Sequence, residues 1–125
     1  MRTVLIVDDE QDVKPLFEQR FRRQIRDGTV HFEFASSGAE ALETLGQSDA
    51  DVVLILSDIR MDGMDGFALL SEIRKKWPPM PVYLVTAFDA ASYREQAVEL
   101  GASGYLTKPV DFTKVKDLIL ERTDE

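Results

Sequence analysis

The chain has 125 residues, so we expect a single domain over residues 1–125. The absence of cysteine from the sequence excludes a disulfide framework and a thiolate metal site, and it favours a reducing compartment. The longest apolar run, Val52–Leu56, is far too short for a membrane span, and a net charge of −8 repels phosphodiesters, so we expect neither a membrane association nor direct binding of nucleic acid.

The first half of the chain alternates between strand and helix patterns of apolar residues. In chain order these patterns predict a strand over Thr3–Val7, a helix that begins near Val13 and stops at Asp27-Gly28, a strand over Val30–Ala35, and a helix from the capping box Ser37–Glu40 to Gly46. Asp51–Ser57 follows as the third predicted strand.

The second half of the chain continues this alternation. It predicts a helix from about Asp65 to Trp77, a strand over Val82–Thr86, a helix from the capping box Ser92–Glu95 to Gly101, a short strand over Tyr105–Thr107, and a last helix capped by Asp111. Five alternating strand–helix units indicate an α/β fold, a doubly wound parallel sheet with helices on both faces.

The character of each predicted strand indicates the order of this five-stranded sheet. The second strand alternates between apolar and polar residues, which is typical of an edge, and the fifth is short, which suits the other edge. The first and third strands are apolar throughout, as in the middle of a parallel sheet. This pattern fits the order 2-1-3-4-5, in which a functional site lies at the carboxyl ends of strands 1 and 3.

Side chains that suit phosphoryl chemistry stand at those strand ends. Asp8 and Asp9 follow strand 1, Asp58 follows strand 3, Thr86 ends strand 4 and Lys108 follows strand 5. Carboxylates on neighbouring strands repel one another unless a cation joins them, and Mg²⁺ prefers carboxylate, water and phosphate oxygens. An Asp carboxylate can attack a phosphoryl group, and Asp58 on the central strand is the better nucleophile, whereas Asp8 and Asp9 are better placed to hold the ion.

Four segments together resemble the receiver domain of two-component response regulators. They are, in chain order, LIVDDE (Leu5–Glu10), SDIRMDGMDG (Ser57–Gly66), LVTAF (Leu84–Phe88) and GASGYLTKPV (Gly101–Val110). The resemblance covers essentially the whole chain and implies the flavodoxin-like (βα)5 receiver fold, with no output domain in this chain. It also implies a cytoplasmic phosphoacceptor of a bacterial phosphorelay, which is not an enzyme beyond its own phosphorylation and dephosphorylation.

The resemblance assigns roles to the residues of the site. It implies that Asp58 is the phosphoacceptor and that Mg²⁺ is bound by Asp8, Asp9, Asp58 and the backbone carbonyl of Arg60. Asp62 departs from the family pattern, because receivers commonly have proline there, and this departure bears on the kinetics of phosphorylation.

The resemblance also implies a switch and partners. Thr86 is the switch hydroxyl, Tyr105 is the switch aromatic residue, Lys108 contacts the phosphoryl group, and the Lys108-Pro109 bond is cis. The phosphodonor is a histidine kinase or a phosphotransfer protein. A homodimer is expected to use the face formed by the fourth predicted helix, the fifth strand and the fifth predicted helix.

Two other functions remain open from the residues alone. A Mg²⁺-dependent phosphatase or phosphotransferase that acts on small molecules is expected to carry a second acid two residues after the nucleophile, where this chain has Arg60. A phosphorylation-independent protein-binding module on the same fold is expected to lack Asp58 or Lys108. Asp8 and Asp9 are also open to a simpler interpretation, as caps of the first helix.

Overall fold

The computed structural model describes residues 3–48, 51–88 and 90–123, and these residues form five strands and six helices. In chain order the elements are β1 (Thr3–Val7), α1 (Val13–Arg20), α2 (Arg22–Arg26), β2 (His31–Ala35), α3 (Gly38–Ser48), β3 (Val52–Asp58), α4 (Gly66–Lys76), β4 (Val82–Thr86), α5 (Ala91–Glu99), β5 (Gly104–Thr107) and α6 (Phe112–Thr123). Within these ranges, every helix is too short or too polar to cross a membrane.

The five strands pair in parallel in the order β2-β1-β3-β4-β5, which confirms the predicted sheet. β1 and β3 are direct neighbours, with Val7 beside Ser57, so the residues that follow β1 lie next to the end of β3. β4 pairs with the other side of β3. Because parallel strands end at the same edge, Asp8, Asp58 and Thr86 come together there.

Two apolar cores cover the two faces of the sheet. Successive residues of β1 point to opposite faces, so Leu5 and Val7 join the core with α3 and α4, whereas Val4 and Ile6 join the core with α1 and α6. These four side chains are at most 3% exposed. Burial on both faces explains why β1 is apolar throughout, and it anchors the strand that carries part of the site.

The first predicted helix is divided in two at Phe21. The backbone of Phe21 has φ −113° and ψ 22°, outside the helical range, so α1 ends at Arg20 and α2 begins at Arg22. The ring of Phe21 is buried, with its centroid 5.3 Å from that of Phe32 and 6.0 Å from that of Phe17. The break in the helix therefore coincides with the packing of Phe21 in this aromatic cluster, and tertiary packing of this kind commonly overrides local periodicity.

Two predicted helix caps are confirmed. The hydroxyl of Ser37 accepts the backbone N–H of Glu40 at 3.1 Å, and the carboxylate of Asp111 accepts the backbone N–H of Thr113 at 3.0 Å. The carboxylate of Glu40 in turn accepts the hydroxyl of Ser36 at 2.9 Å. Both helices therefore begin where the sequence predicted.

Two predicted helix ends are wrong. α5 begins at Ala91 after Ala90, so Ser92 lies inside the first turn and does not open the helix. α3 continues through Gly46 to Ser48. Gly46 is not among the glycines with positive φ, so it takes an ordinary helical conformation and does not end the helix.

Candidate functional site

Asp58 is the last residue of β3 and is only 6% exposed. α4 begins directly against it, since Gly66 donates its backbone N–H to the carbonyl of Ile59 at 2.8 Å. A Cβ atom at Gly66 would collide with the backbone of Asp58 and Ile59, so glycine is required by this close approach. Asp65 caps α4 by accepting the backbone N–H of Ala68 at 2.8 Å. The loop after Asp58 is thereby anchored where α4 begins.

Lys108 places its ammonium group among three carboxylates. Its Nζ lies 3.1 Å from Asp8 Oδ2, 3.2 Å from Asp58 Oδ2 and 3.3 Å from Glu10 Oε1. The side chains of Asp8 and Asp58 are 8% and 7% exposed, whereas that of Glu10 is 63% exposed. The site is therefore a cluster of one cation and three anions, partly buried and still net negative.

The charges of this cluster act on one another. Burial raises the pKa of the Asp58 carboxyl above its ordinary value and the charge of Asp8 raises it further, while Lys108 acts in the opposite direction. Burial alone lowers the pKa of Lys108, but its hydrogen bonds and charge attraction to Asp8 and Asp58 outweigh burial, so this pKa lies above its ordinary value. Lys108 thus stays protonated at neutral pH, and part of the repulsion between the two aspartates remains.

Among the described residues, Asp9 is not one of the three carboxylates that contact Lys108 Nζ. It is exposed and, with Arg60 and Asp62, lines a surface hollow of about 410 Å³. Asp58 Oδ1 accepts the backbone N–H of Arg60 at 3.4 Å, whereas its Oδ2 faces Lys108. The two oxygens of Asp58 therefore have different neighbours.

The interpretation of Asp8 and Asp9 as helix caps is wrong. α1 begins only at Val13, and the residue that precedes its first turn is Asp12. Asp8 instead accepts the backbone N–H of Glu10 at 2.9 Å, within the loop between β1 and α1.

The described carboxylates fit a divalent cation. One oxygen from each of Asp8, Glu10 and Asp58 lies within 4.8 Å of the others, and oxygen ligands of this kind suit Mg²⁺. A bound cation would relieve the repulsion that remains between the Asp8 and Asp58 carboxylates. Sequence reasoning did not include Glu10 among the site residues, because its contact with Lys108 joins residues 98 positions apart.

Thr86 and Tyr105 are joined through the backbone of Phe88. Thr86 is fully buried, and its hydroxyl accepts the N–H of Phe88 at 3.1 Å. The hydroxyl of Tyr105 donates to the carbonyl of Phe88 at 3.1 Å, and the guanidinium of Arg94 lies 4.6 Å from the Tyr105 ring centroid. The carbonyl of Thr86 accepts the backbone N–H of Lys108 at 2.9 Å, and the Lys108-Pro109 bond is cis, as predicted.

The ring of Phe88 stands at the rim of the site and is 48% exposed. The guanidinium of Arg60 lies 5.7 Å from its centroid, and the ring of Tyr93 lies 5.1 Å away in an edge-on arrangement. The residues two positions after Asp58 and Thr86 are thus in contact with each other beside the site.

A cavity of about 380 Å³ opens on the Lys108 side, between α1 and α6. Leu16 and Phe17 of α1 and Phe112 of α6 line it together with Asp58 and Lys108. Leu16 is 42% exposed, so apolar surface of α1 is accessible next to the charged cluster.

Comparison of the sequence with known proteins identifies relatives over nearly the whole chain. Residues 4–120 match the family described as the response regulator receiver domain. The chain is 36% identical over 116 residues to the DNA-binding transcriptional regulator NtrC of Escherichia coli K12, covering 93% of this chain and 24% of that protein. It is also 36% identical over 122 residues to the transcriptional regulatory protein GlrR of the same organism, covering 98% of this chain and 25% of that protein. The chain thus spans about a quarter of the length of these relatives.

Solved structures share the fold. The chemotaxis protein CheY4 of Vibrio cholerae matches with a TM-score of 0.82 at 23% identity, covering 98% of each chain. A receiver domain from Saccharomyces cerevisiae, crystallised with a histidine phosphotransfer protein, matches with a TM-score of 0.83 at 21% identity, covering 98% of this chain and 89% of that one. The receiver domain of NtrX from Brucella abortus matches with a TM-score of 0.76 at 28% identity, covering 94% of this chain and 98% of that one. These structures share the fold, and the family match over residues 4–120 establishes that the chain belongs to the response regulator receiver domains, the signalling modules of two-component systems.

Proposed function

We propose that this chain accepts a phosphoryl group on Asp58 from a phosphohistidine and acts as the phosphoacceptor of a two-component phosphorelay. The observation that carries the proposal is the contact between the buried Asp58 carboxylate and the Lys108 ammonium at 3.2 Å. This contact brings together a nucleophile and a cation that binds phosphate oxygens.

The proposed phosphoryl transfer is a displacement at the phosphorus atom. One oxygen of the Asp58 carboxylate attacks the phosphorus atom, and the P–N bond of the phosphohistidine breaks. The imidazole nitrogen leaves with the electron pair of that bond and takes up a proton from solvent, while Asp58 becomes an aspartyl phosphate. Lys108 then donates to the phosphoryl oxygens, which carry more negative charge than the original carboxylate.

The acidic residues support the same proposal. We assign Asp8, Asp9, Asp58 and the backbone carbonyl of Arg60 to the binding of Mg²⁺, as the family resemblance implies. When bound, the ion supplies positive charge that neutralises the phosphoryl oxygens during transfer. Asp8 also holds Lys108 beside Asp58, since its Oδ2 lies 3.1 Å from Nζ.

The proposed phosphodonor is a histidine kinase or a histidine phosphotransfer protein, and we propose a cytoplasmic location for the chain together with it. A similar solved structure contains a receiver domain together with a histidine phosphotransfer protein, which supports this class of partner. The accessible apolar surface of α1 beside Asp58 is suited to contact with such a donor.

Phosphorylation is read out, in this proposal, through Thr86 and Tyr105. If the Thr86 hydroxyl turns to the phosphoryl group, its hydrogen bond from the N–H of Phe88 is lost. The carbonyl of Phe88 in turn accepts the hydroxyl of Tyr105. The two contacts are therefore coupled through one residue. Their rearrangement changes the face formed by α5, β5 and α6, where a homodimer or an output domain can distinguish the two forms.

Incubation with a small phosphodonor and Mg²⁺, followed by measurement of intact mass, tests the proposal. We expect the wild-type chain to gain one phosphoryl group and Asp58→Asn to gain none. Asp62→Asn is a matched control, because it removes an exposed carboxylate from the same loop, and it should still be labelled. Equal labelling of Asp58→Asn and the wild type would show that Asp58 is not the acceptor.

The two alternative functions have less support. A phosphorylation-independent module does not require an acceptor carboxylate in contact with a lysine, yet Asp58 and Lys108 are both present and 3.2 Å apart. An Asp-dependent phosphatase is expected to place an acid at the position of Arg60, whose guanidinium here packs against Phe88.

A further inference from the structure

Glu10 is a third carboxylate on the Lys108 ammonium, and apart from its place in the carboxylate cluster that suits a divalent cation it has no role in the phosphoryl transfer described above. Its Oε1 lies 3.3 Å from Lys108 Nζ, close to the distances of Asp8 and Asp58 from the same atom. Its side chain is 63% exposed, whereas those of Asp8 and Asp58 are 8% and 7% exposed. Glu10 is therefore the partner of Lys108 that is most easily released to water.

The backbone keeps Glu10 within reach of this ammonium. The N–H of Glu10 donates to Asp8 Oδ1 at 2.9 Å, and the N–H of Asp8 donates to the carbonyl of Ala35 at 3.0 Å. The loop that carries Glu10 is thus fastened to the end of β2. The contact with Lys108 joins residues 98 positions apart, so it depends on the fold and not on local sequence.

We propose that Glu10 is a positioning residue that competes with the phosphoryl group on Asp58 for the Lys108 ammonium and thereby restrains phosphorylation. The inference rests on the proposed function of Asp58. An ammonium has three N–H donors, and in the unphosphorylated chain all three have a carboxylate partner. A phosphoryl group on Asp58 needs one or more of these N–H donors, and the hydrogen bond between Lys108 and the exposed Glu10 is the one that breaks to supply it.

The test compares charge removal at Glu10 with charge removal elsewhere. Glu10→Gln removes the charge and keeps the size of the side chain. Glu72→Gln is the matched control, because the carboxylate of Glu72 lies 3.2 Å from Lys75 Nζ on α4, in a similar exposed contact. Both variants and the wild type are incubated with acetyl phosphate at several donor concentrations and with Mg²⁺ raised until the rate no longer depends on it, at low and at high salt, and phosphoryl uptake is followed by intact mass.

We expect Glu10→Gln to take up the phosphoryl group roughly 5-fold faster than the wild type, the factor that one charge at contact distance exerts in a water-like medium. Glu72→Gln should keep the wild-type rate. At physiological ionic strength the Debye length is about 8 Å, longer than the 3.3 Å Glu10–Lys108 contact, so part of the gain should persist, whereas long-range repulsion of an anionic donor by Glu10 would be screened.

A Glu10→Gln rate equal to or below that of the wild type overturns the role of Glu10, as does a gain that vanishes at high salt. In these outcomes the labelled wild-type chain still supports Asp58 as acceptor, so the two proposals fail separately. If the wild type itself takes up no phosphoryl group, both proposals are overturned. A thermal melt of each variant confirms that the compared chains are folded.

Discussion

The Lys108→Met substitution removes the ammonium from between the carboxylates of Asp8 and Asp58. These two side chains are 8% and 7% exposed, so they cannot be fully solvated in its place. Loss of one partner from a buried ion pair costs about 3–5 kcal/mol. The Lys108 side chain is itself 21% exposed, so we expect a smaller loss in the free energy of unfolding, about 2–3 kcal/mol at pH 7.

This loss should depend on pH, because a carboxyl group relieves the repulsion when it binds a proton. The pKa of Asp58 is already raised, first by burial and then by Asp8, and removal of Lys108 raises it further. A folded-state pKa above the unfolded value gives stability that is present below about pH 4 and lost as pH rises through the folded-state pKa. The deficit of Lys108→Met relative to the wild type should therefore grow from pH 5 towards pH 7, by at most about 1.4 kcal/mol per pH unit.

The contribution of Lys108 in the wild type has a different pH window. Burial acts against the charged form, but the contacts with Asp8 and Asp58 outweigh it and raise the pKa of Lys108. Its stabilising contribution is therefore complete below its ordinary pKa of about 10.4 and is lost only as the pH rises through the higher folded-state value. Between pH 5 and pH 8 the ammonium stays charged, so the growing deficit reports the carboxylates.

Denaturant unfolding of both chains at several pH values between 5 and 8 measures this deficit. Lys75→Met is the control, since Lys75 pairs with Glu72 on an exposed helix surface, and we expect it to change stability by less than about 1 kcal/mol at every pH. Adding Asp58→Asn to Lys108→Met should remove most of the pH dependence. A deficit that is constant with pH, or unchanged by Asp58→Asn, would show that Lys108 stabilises the fold by packing and not by charge.

The same contacts predict three further results. Asp58→Asn alone should raise the melting temperature of the Mg²⁺-free chain, and more so at pH 8 than at pH 5. The reason is that the pKa of Asp58 is raised in the folded chain, so folding disfavours its ionised form. An equal or lower melting temperature of the variant contradicts this. Mg²⁺ at ten times its Kd should stabilise the wild type by about 1.4 kcal/mol, and Asp9→Asn should weaken this stabilisation by Mg²⁺ in a melting titration. An unchanged Kd for Mg²⁺ in Asp9→Asn would show that Asp9 is not a ligand of the ion. Gly66→Ala should lower the free energy of unfolding by at least about 2 kcal/mol, because the added Cβ meets the backbone of Asp58. Gly46→Ala, which has open space around it in α3, should raise the free energy of unfolding by roughly 0.5–1 kcal/mol. Equal effects of the two variants in denaturant unfolding would contradict the close approach at Gly66.

The sheet and its functional edge could be predicted because their signals are local. β1 and β4 have the predicted bounds, since each is a short run of mainly apolar, β-forming residues. The alternation in β2 and the shortness of β5 identified the two edges and thus the strand order. Once the order was known, parallel pairing brought Asp8, Asp58 and Thr86 to one edge whatever the details of the helices.

Other features depend on contacts that the sequence does not show. The break at Phe21 lies where its ring packs against Phe32, a residue on another element, and helical periodicity alone does not reveal that contact. The pattern at Ser92 matches a capping box, but α5 starts one residue earlier. Glu10 joins the site only because Lys108, 98 positions away, extends its side chain to it.

Chemical location of the phosphoryl group tests the central claim most directly. After phosphorylation by a small donor with Mg²⁺, borohydride reduction converts an aspartyl phosphate into homoserine, and peptide mass spectrometry then finds the modified position. Our account predicts homoserine at position 58 and an unmodified carboxylate at Asp8, Asp9 and Asp62. Homoserine at one of those three positions, or a phosphorylated chain with Asp58 unmodified, would contradict it.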